Sequence, residues 1–110
     1  MATVQKVLGQ SAPGATTATD LYTVPALKYA VISTLIACNK AAIAGTIRIS
    51  VAVVGAAVAD KQYLYYDVSV PANDTLALTI GVTLATTDVI RVYASSANFS
   101  FSAFGTEGDV

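Results

Sequence analysis

The chain has 110 residues, one cysteine and no histidine, and its six basic and seven acidic side chains leave a formal net charge of −1. These counts exclude an internal disulfide framework and every histidine-based triad, and they disfavour a soft-metal site within one chain. With no basic cluster to neutralise phosphates, nucleic acid is not an expected partner.

Charged residues make up 12% of the chain and hydrophobic ones 55%, whereas soluble domains usually carry about 25% charge. Either lipid or other protein is therefore expected to cover much of the surface. The length suits one domain over 1–110, burying roughly 65% of its unfolded surface in a modest core.

In chain order, the first strand is expected near residues 3–8, and residues 1–20 read as an N-terminal arm and loop. The segment "SAPGATTATD" (11–20) is rich in Pro, Gly and Thr and has no apolar period. Strands follow near 20–24 and 28–38, parted by "VPALK", where the fixed φ and missing N–H of proline do no harm. In 28–38, Ala30, Ile32, Thr34, Ile36 and Cys38 alternate with Tyr29, Val31, Ser33, Leu35 and Ala37. Both sets are largely apolar, as expected for a strand with protein on each side.

The run from Ala41 to Asp60 tests the lipid alternative. Arg48 interrupts it, and Ile47, Ile49, Val51 and Val53 alternate with Thr46, Arg48, Ser50 and Ala52. A period of two specifies a strand over 45–54, not a membrane-spanning helix. No secretory signal is evident, and no membrane is expected.

Further strands are expected near 62–70, 75–84, 88–94 and 97–104, with turns at "VPANDT" (70–75) and "SSAN" (95–98). No window joins helix caps to a 3.6-residue period, and only Ala41–Ala44 suggests a single turn. About eight strands at this spacing predict an all-β fold, a single antiparallel β-sandwich of jelly-roll-like type with little or no helix. The expected core is Ile47, Ile49, Val51, Leu76, Leu78, Ile80, Val92, Phe99 and Phe101.

Chemistry-bearing clusters are few. Tyr63, Tyr65, Tyr66 and Asp67 in "QYLYYD" form the densest aromatic group, with Tyr63, Tyr65 and Asp67 on one face and Leu64, Tyr66 and Val68 on the other. They read either as a recognition or subunit-contact patch or as half-exposed tyrosines covering a sheet. Asp67, Asp74 and Asp88 suggest carboxylate chemistry or calcium only if brought together, and Asp74 and Asp88 sit beside expected turns. Cys38 lacks an activating histidine and reads as a small buried apolar residue. The "NDT" and "NFS" sequons read as chance matches without a secretory signal. No catalytic, cofactor-binding or metal-binding residue is assigned, and no enzymatic activity is expected.

With these strands placed, "LYTVPALKYAVISTLIACNK" (21–40) and "YYDVSVPANDTLALTIGVTLATTDVIRVYASSANFSFSAFGTE" (65–107) resemble small virion structural proteins of tailed bacteriophages. The likeness lies in an LYTVPA-type lead into an apolar strand ending Cys-Asn, a "PANDT" turn and a closing "VYAS…ANFSFSAFG". It implies a β-sandwich that coats or extends a virion assembled in the bacterial host cytoplasm. The role implied is a capsid decoration (cement) protein or a tail, baseplate or fibre component. A carbohydrate- or receptor-binding module using residues 63–67 is the alternative from another class. Expected partners are the chain itself, as a homo-oligomer and by the resemblance a trimer, and other virion proteins such as the major capsid protein. Tyr29, Val31, Leu35, Tyr63 and Tyr65 are the candidate contact residues.

Overall fold

A computed structural model describes residues 3–110. The chain forms nine strands: β1 (Thr3–Ser11), β2 (Thr19–Thr23), β3 (Lys28–Asn39), β4 (Gly45–Ala52), β5 (Tyr63–Val70), β6 (Thr75–Leu78), β7 (Val82–Leu84), β8 (Val89–Ala94) and β9 (Phe99–Asp109). The only helical segments among the described residues are two three-residue 3₁₀ turns, Val53–Gly55 and Asp60–Gln62. The Ala41–Asp60 run is therefore a strand followed by a loop. No helix is long and apolar enough to cross a membrane.

The strands build two antiparallel sheets. One runs β1-β9-β3-β6, with β7 also on β3, and the other runs β2-β8-β4-β5. β6 and β7 pair with successive parts of β3, Leu78 opposite Leu35 and Val82 opposite Ile32. Together they form one strand, broken at Gly81, whose φ is 58°. Glycine inside a strand pattern marks such a break, because it adopts a positive φ without a Cβ clash. Counted this way, each sheet has four strands, and the chain alternates between sheets from β1 to β4. The connectivity is that of an eight-stranded jelly roll.

Between the sheets lies one core, with Phe99, Phe101, Ile32, Leu35, Ile47, Ile49, Ile90 and Val92 essentially inaccessible. The two phenylalanine rings stack with centroids 6.3 Å apart. Val51, Leu76, Leu78 and Ile80, expected inside, pack against this core but are only partly buried. β6 and β7 lie at a sheet edge, where no neighbouring strand covers them.

β1 is not a loose arm. It pairs with β9 from Thr3 opposite Gly108 to Ser11 opposite Phe101, with a register shift at Leu8. Gly9 lets β1 approach β2 of the other sheet closely, since a Cβ there would lie 2.1 Å from the Leu21 carbonyl oxygen. At the far end of the sandwich, buried Asn39 ties three segments together. Its amide nitrogen donates to the carbonyls of Ile43, Val70 and Pro71 at 3.0–3.2 Å, and its oxygen accepts from Ala41 N–H at 2.9 Å.

Candidate assembly surfaces

β-bulges decide which side chains reach each outer face. In β3 the pairing with β9 shifts between Ile32 and Thr34, so the alternation reverses at Ser33. Ala30, Ile32, Leu35, Ala37 and Asn39 point inward and are buried, while Tyr29, Val31, Thr34, Ile36 and Cys38 face out and are half-buried. Leu35, expected beside Tyr29 and Val31, instead fills the core at 0% exposure. It is not on a surface available to a partner.

The outer face of this sheet carries no charged side chain. Following the register, Gln5, Thr106, Val31 and Thr83 form one row; Val7, Phe104 and Thr34 the next; and Gln10, Ser102, Ile36 and Ala77 another. Tyr29 lies across Gly108, where a Cβ would fall 2.6 Å from its ring. The sheet's ionic residues sit on the opposite side of their strands, toward one end of the sandwich. There Lys6 pairs with Glu107 at 3.4 Å and Lys28 pairs with Asp109. The Tyr22 hydroxyl donates to Glu107 at 2.5 Å. That hydrogen bond, helped by Lys6, holds the Glu107 carboxyl below its ordinary range. Burial first, then the carboxylate, pushes the Tyr22 hydroxyl well above the usual phenol range.

The other sheet presents a charged and aromatic outer face. One residue of β4, Arg48, stands opposite two of β5, Tyr66 and Asp67, because the pairing passes from Ile47–Val68 to Ile49–Tyr65. Such a bulge re-aims side chains, and Asp67 adopts a φ of 52° to complete it. Arg48 Nε and Nη2 donate to the two Asp67 carboxylate oxygens at 2.7 and 3.3 Å. Its guanidinium lies between the rings of Tyr66 and Tyr93, 4.2 and 4.3 Å from their centroids. The rings of Tyr63 and Tyr66 meet edge to face, with centroids 4.9 Å apart.

The expected face assignment of β5 is thereby corrected. Asp67 shares a face with Tyr66, not with Tyr65, and Tyr65 and Val68 pack against the core. Tyr63 is half-buried.

A third feature lies at the end of the sandwich where the β4–β5 loop emerges. Asp88, buried, accepts Val54 N–H on Oδ1 and Ala85 N–H on Oδ2, each at 3.0 Å. Its carbonyl accepts Val24 N–H at 3.0 Å. Arg91 donates to the carbonyls of Ala56 and Gly55 at 2.6 and 3.3 Å and to Asp20 at 2.9 Å. The expectation of Asp88 as a local turn residue captures only its bond to Ala85. Its tie to Val54 had no signal in the sequence.

The remaining candidates stay apart. Asp74 caps its own turn through Thr75 N–H at 2.8 Å, Asp67 holds Arg48, and Asp88 holds the loops. Among the described residues no group of three or more His, Cys, Asp or Glu could hold a metal ion. Cys38 is half-buried on the uncharged outer face and not in the core.

The fold is similar to part of a chain in the structure of infectious bursal disease virus Gx strain. The match covers 96% of this chain and 31% of that one, with a TM-score of 0.50 and 9% sequence identity. This chain therefore spans about a third of that neighbour's length, and the likeness is one of fold. Two structures of a pentameric capsid protein isolated from metagenomic phage sequences also match. Each is 16% identical and covers 98% of this chain; the matches cover 65% and 60% of theirs, with TM-scores of 0.33 and 0.27. No protein-family model and no curated protein matches the sequence.

Proposed function

We propose that the chain is a non-enzymatic structural subunit of a virus particle, a decoration protein that coats the capsid as a homo-oligomer. The observation that carries this reading is the uncharged outer face of the β1-β9-β3-β6 sheet. Its rows of Val, Thr, Ile, Phe and Gln suit burial against another protein, because no ion there would be stripped of water without a partner. The jelly-roll connectivity supports it, since capsid domains are among the users of that fold. The resemblance of residues 21–40 and 65–107 to tailed-phage virion proteins points the same way.

Co-sedimentation tests it. The purified chain should pellet with empty capsid shells and not with isolated tails. Binding to tails alone would replace decoration with a tail or fibre role, and binding to neither would overturn the virion reading.

The exposed Tyr66 beside Arg48 favours one second reading, recognition of a carbohydrate or receptor through the other sheet. In that case a glycan array would show specific binding that Tyr66→Ala abolishes.

A further inference from the structure

We propose that the β4–β5 loop is an assembly knob that seats in the apolar groove between β5 and β7 of a second copy of this chain. The proposal rests on the reading of the protein as a repeated structural subunit, and it names the contact through which copies meet.

The loop has no charged residue from Val53 to Ala59. Val53, Val54 and Val58 are 64%, 70% and 50% exposed, so they add little to the chain's own core. Yet the loop is firmly held. Beyond the Asp88 and Arg91 bonds, the buried Gln62 donates to Ala57 O at 2.8 Å and accepts from Ala59 N–H at 3.2 Å. A segment fixed in advance loses little conformational freedom when it docks.

The backbone makes the presence of valine harder to explain by folding alone. Ala56 N–H closes a turn onto Val53 O at 3.1 Å, with φ of 54° at Val54 and 67° at Gly55. A turn with both central residues at positive φ favours Asn-Gly, and a β-branched residue at its first central position is an outlier. Val54 is thus a strained residue that shows an apolar side chain to water. A contact outside the chain accounts for both features.

A shallow, open apolar groove supplies the matching surface. It has a volume of about 610 Å³ and is lined by Tyr63, Leu64, Tyr65, Ile80, Gly81 and Val82. It opens between β5, the edge of one sheet, and β7, at the edge of the other. Tyr65, Ile80 and Val82 pack against the core yet stay partly exposed there. A Cβ at Gly81 would meet nothing within 4 Å. Three other depressions fit an apolar knob less well. One mixes Gln5, Ser33 and Thr106 with Val7 and Phe104 on the outer face of the other sheet, another is lined largely by Gln10 and serines, and the third contains Val53 and Lys61 at the knob's own base.

Neither the stretch from Val53 to Ala59 nor the groove carries charge, so their union buries no unpaired ion. In one chain the valines are exposed while the groove is open, so the loop does not fill its own groove. Two different patches meeting head to tail generate a closed ring or an open array, according to the rotation between copies.

Disulfide trapping tests this in solution. In a Cys38→Ser background, a chain carrying Val54→Cys is mixed with one carrying Leu64→Cys and oxidised. The control pairs Val54→Cys with Ile43→Cys, which is as exposed at 72% but lies beyond the opposite end of β4. The 54–64 cross-link should form at least tenfold faster than the 54–43 link. Equal rates, or a dominant 54–54 link, would overturn the proposal.

Gly81→Asn keeps a residue tolerant of positive φ and puts a polar side chain into the groove. It should leave the melting temperature unchanged and slow the 54–64 link at least tenfold; an undiminished rate would also refute the contact. Pelleting with shells in the absence of this link would sink the knob and leave the virion reading intact. The link without pelleting would do the reverse.

Discussion

Asp88→Ala probes the carboxylate that ties the β4–β5 loop to the turn before β8. The carboxylate accepts two backbone N–H groups, from Val54 and Ala85, at 3.0 Å each, and both bonds are only part-buried. A hydrogen bond to a charged group contributes about 1.5–3 kcal/mol. Water can reach both amides once the side chain is gone, because Val54 and Ala85 are exposed. Each loss should then fall near the lower bound, for a total of about 3 kcal/mol. At roughly 4 °C per kcal/mol for a domain of this size, the melting temperature should drop by about 12 °C. Asp88→Asn keeps one acceptor but turns an amide donor toward the other N–H, so it should recover less than half of the loss. Chemical denaturation gives the free energies. Amide exchange gives the mechanism, since protection at Val54 and Ala85 should fall in Asp88→Ala before the β8–β4 pairing opens. A change within about 0.5 kcal/mol of the parent, the range of ordinary surface substitutions, would show that Asp88 does not tie the loops.

Phe101→Ala should cost about 3–5 kcal/mol, because a stacked, fully buried ring leaves a cavity; an unmoved denaturation midpoint would contradict that packing. Gly9→Ala should fail to give a native thermal transition, since its methyl group would overlap the Leu21 carbonyl; a normally folded Gly9→Ala chain would refute that close approach. Val54→Asn should raise the stability of the isolated chain by up to about 1 kcal/mol as strain at positive φ is relieved, and a clear loss would refute the strain argument. The Tyr22–Glu107 bond should give an acid-dependent stability. A carboxyl whose folded value lies below its ordinary 4.5 stabilises above that pH and loses the contribution as pH falls through the folded value. The melting-temperature gap between the parent and Tyr22→Phe should therefore be constant near neutrality and narrow in acid; an equal gap at both ends would exclude the linkage.

The sheet-forming runs were legible because alternation at period two is a direct consequence of strand geometry. The break at Gly81 was not, because the alternation continues through it and residues 75–84 read as one strand. Nor were the bulges, because an extra residue in one strand leaves no mark on composition. At Ser33 the bulge moves Leu35 into the core, and at Tyr66–Asp67 it brings an aromatic ring and a carboxylate to the same arginine. Each reverses the face assignment of everything beyond it.

The last strand, expected near 97–104, continues through Gly105 and Gly108. These glycines allow close approach: a Cβ at Gly105 would lie 2.0 Å from Val31 O, so its absence lets β9 continue to Asp109. Asn39 and Asp88 were illegible as tethers for another reason. Their partners are backbone groups distant in sequence, and backbone partners have no residue identity to read.

The low charge of the chain is unevenly distributed, and that distribution bears more on function than the total does. The β2-β8-β4-β5 sheet pairs Arg48 with Asp67 and Arg91 with Asp20, as a face in contact with water ordinarily would. The other sheet sends Lys6, Lys28, Glu107 and Asp109 to the opposite side of its strands and keeps its outer face neutral. Folding does not require this. Half-buried outward positions add little to a core already closed by Ile32, Leu35, Phe99 and Phe101, and charged residues could stand in several of those rows at little cost to the isolated chain. A neutral face is costly to replace only when something covers it, because a charge placed there would then lose its water without gaining a partner. The asymmetry between the two faces is thus better explained by assembly than by the stability of one chain.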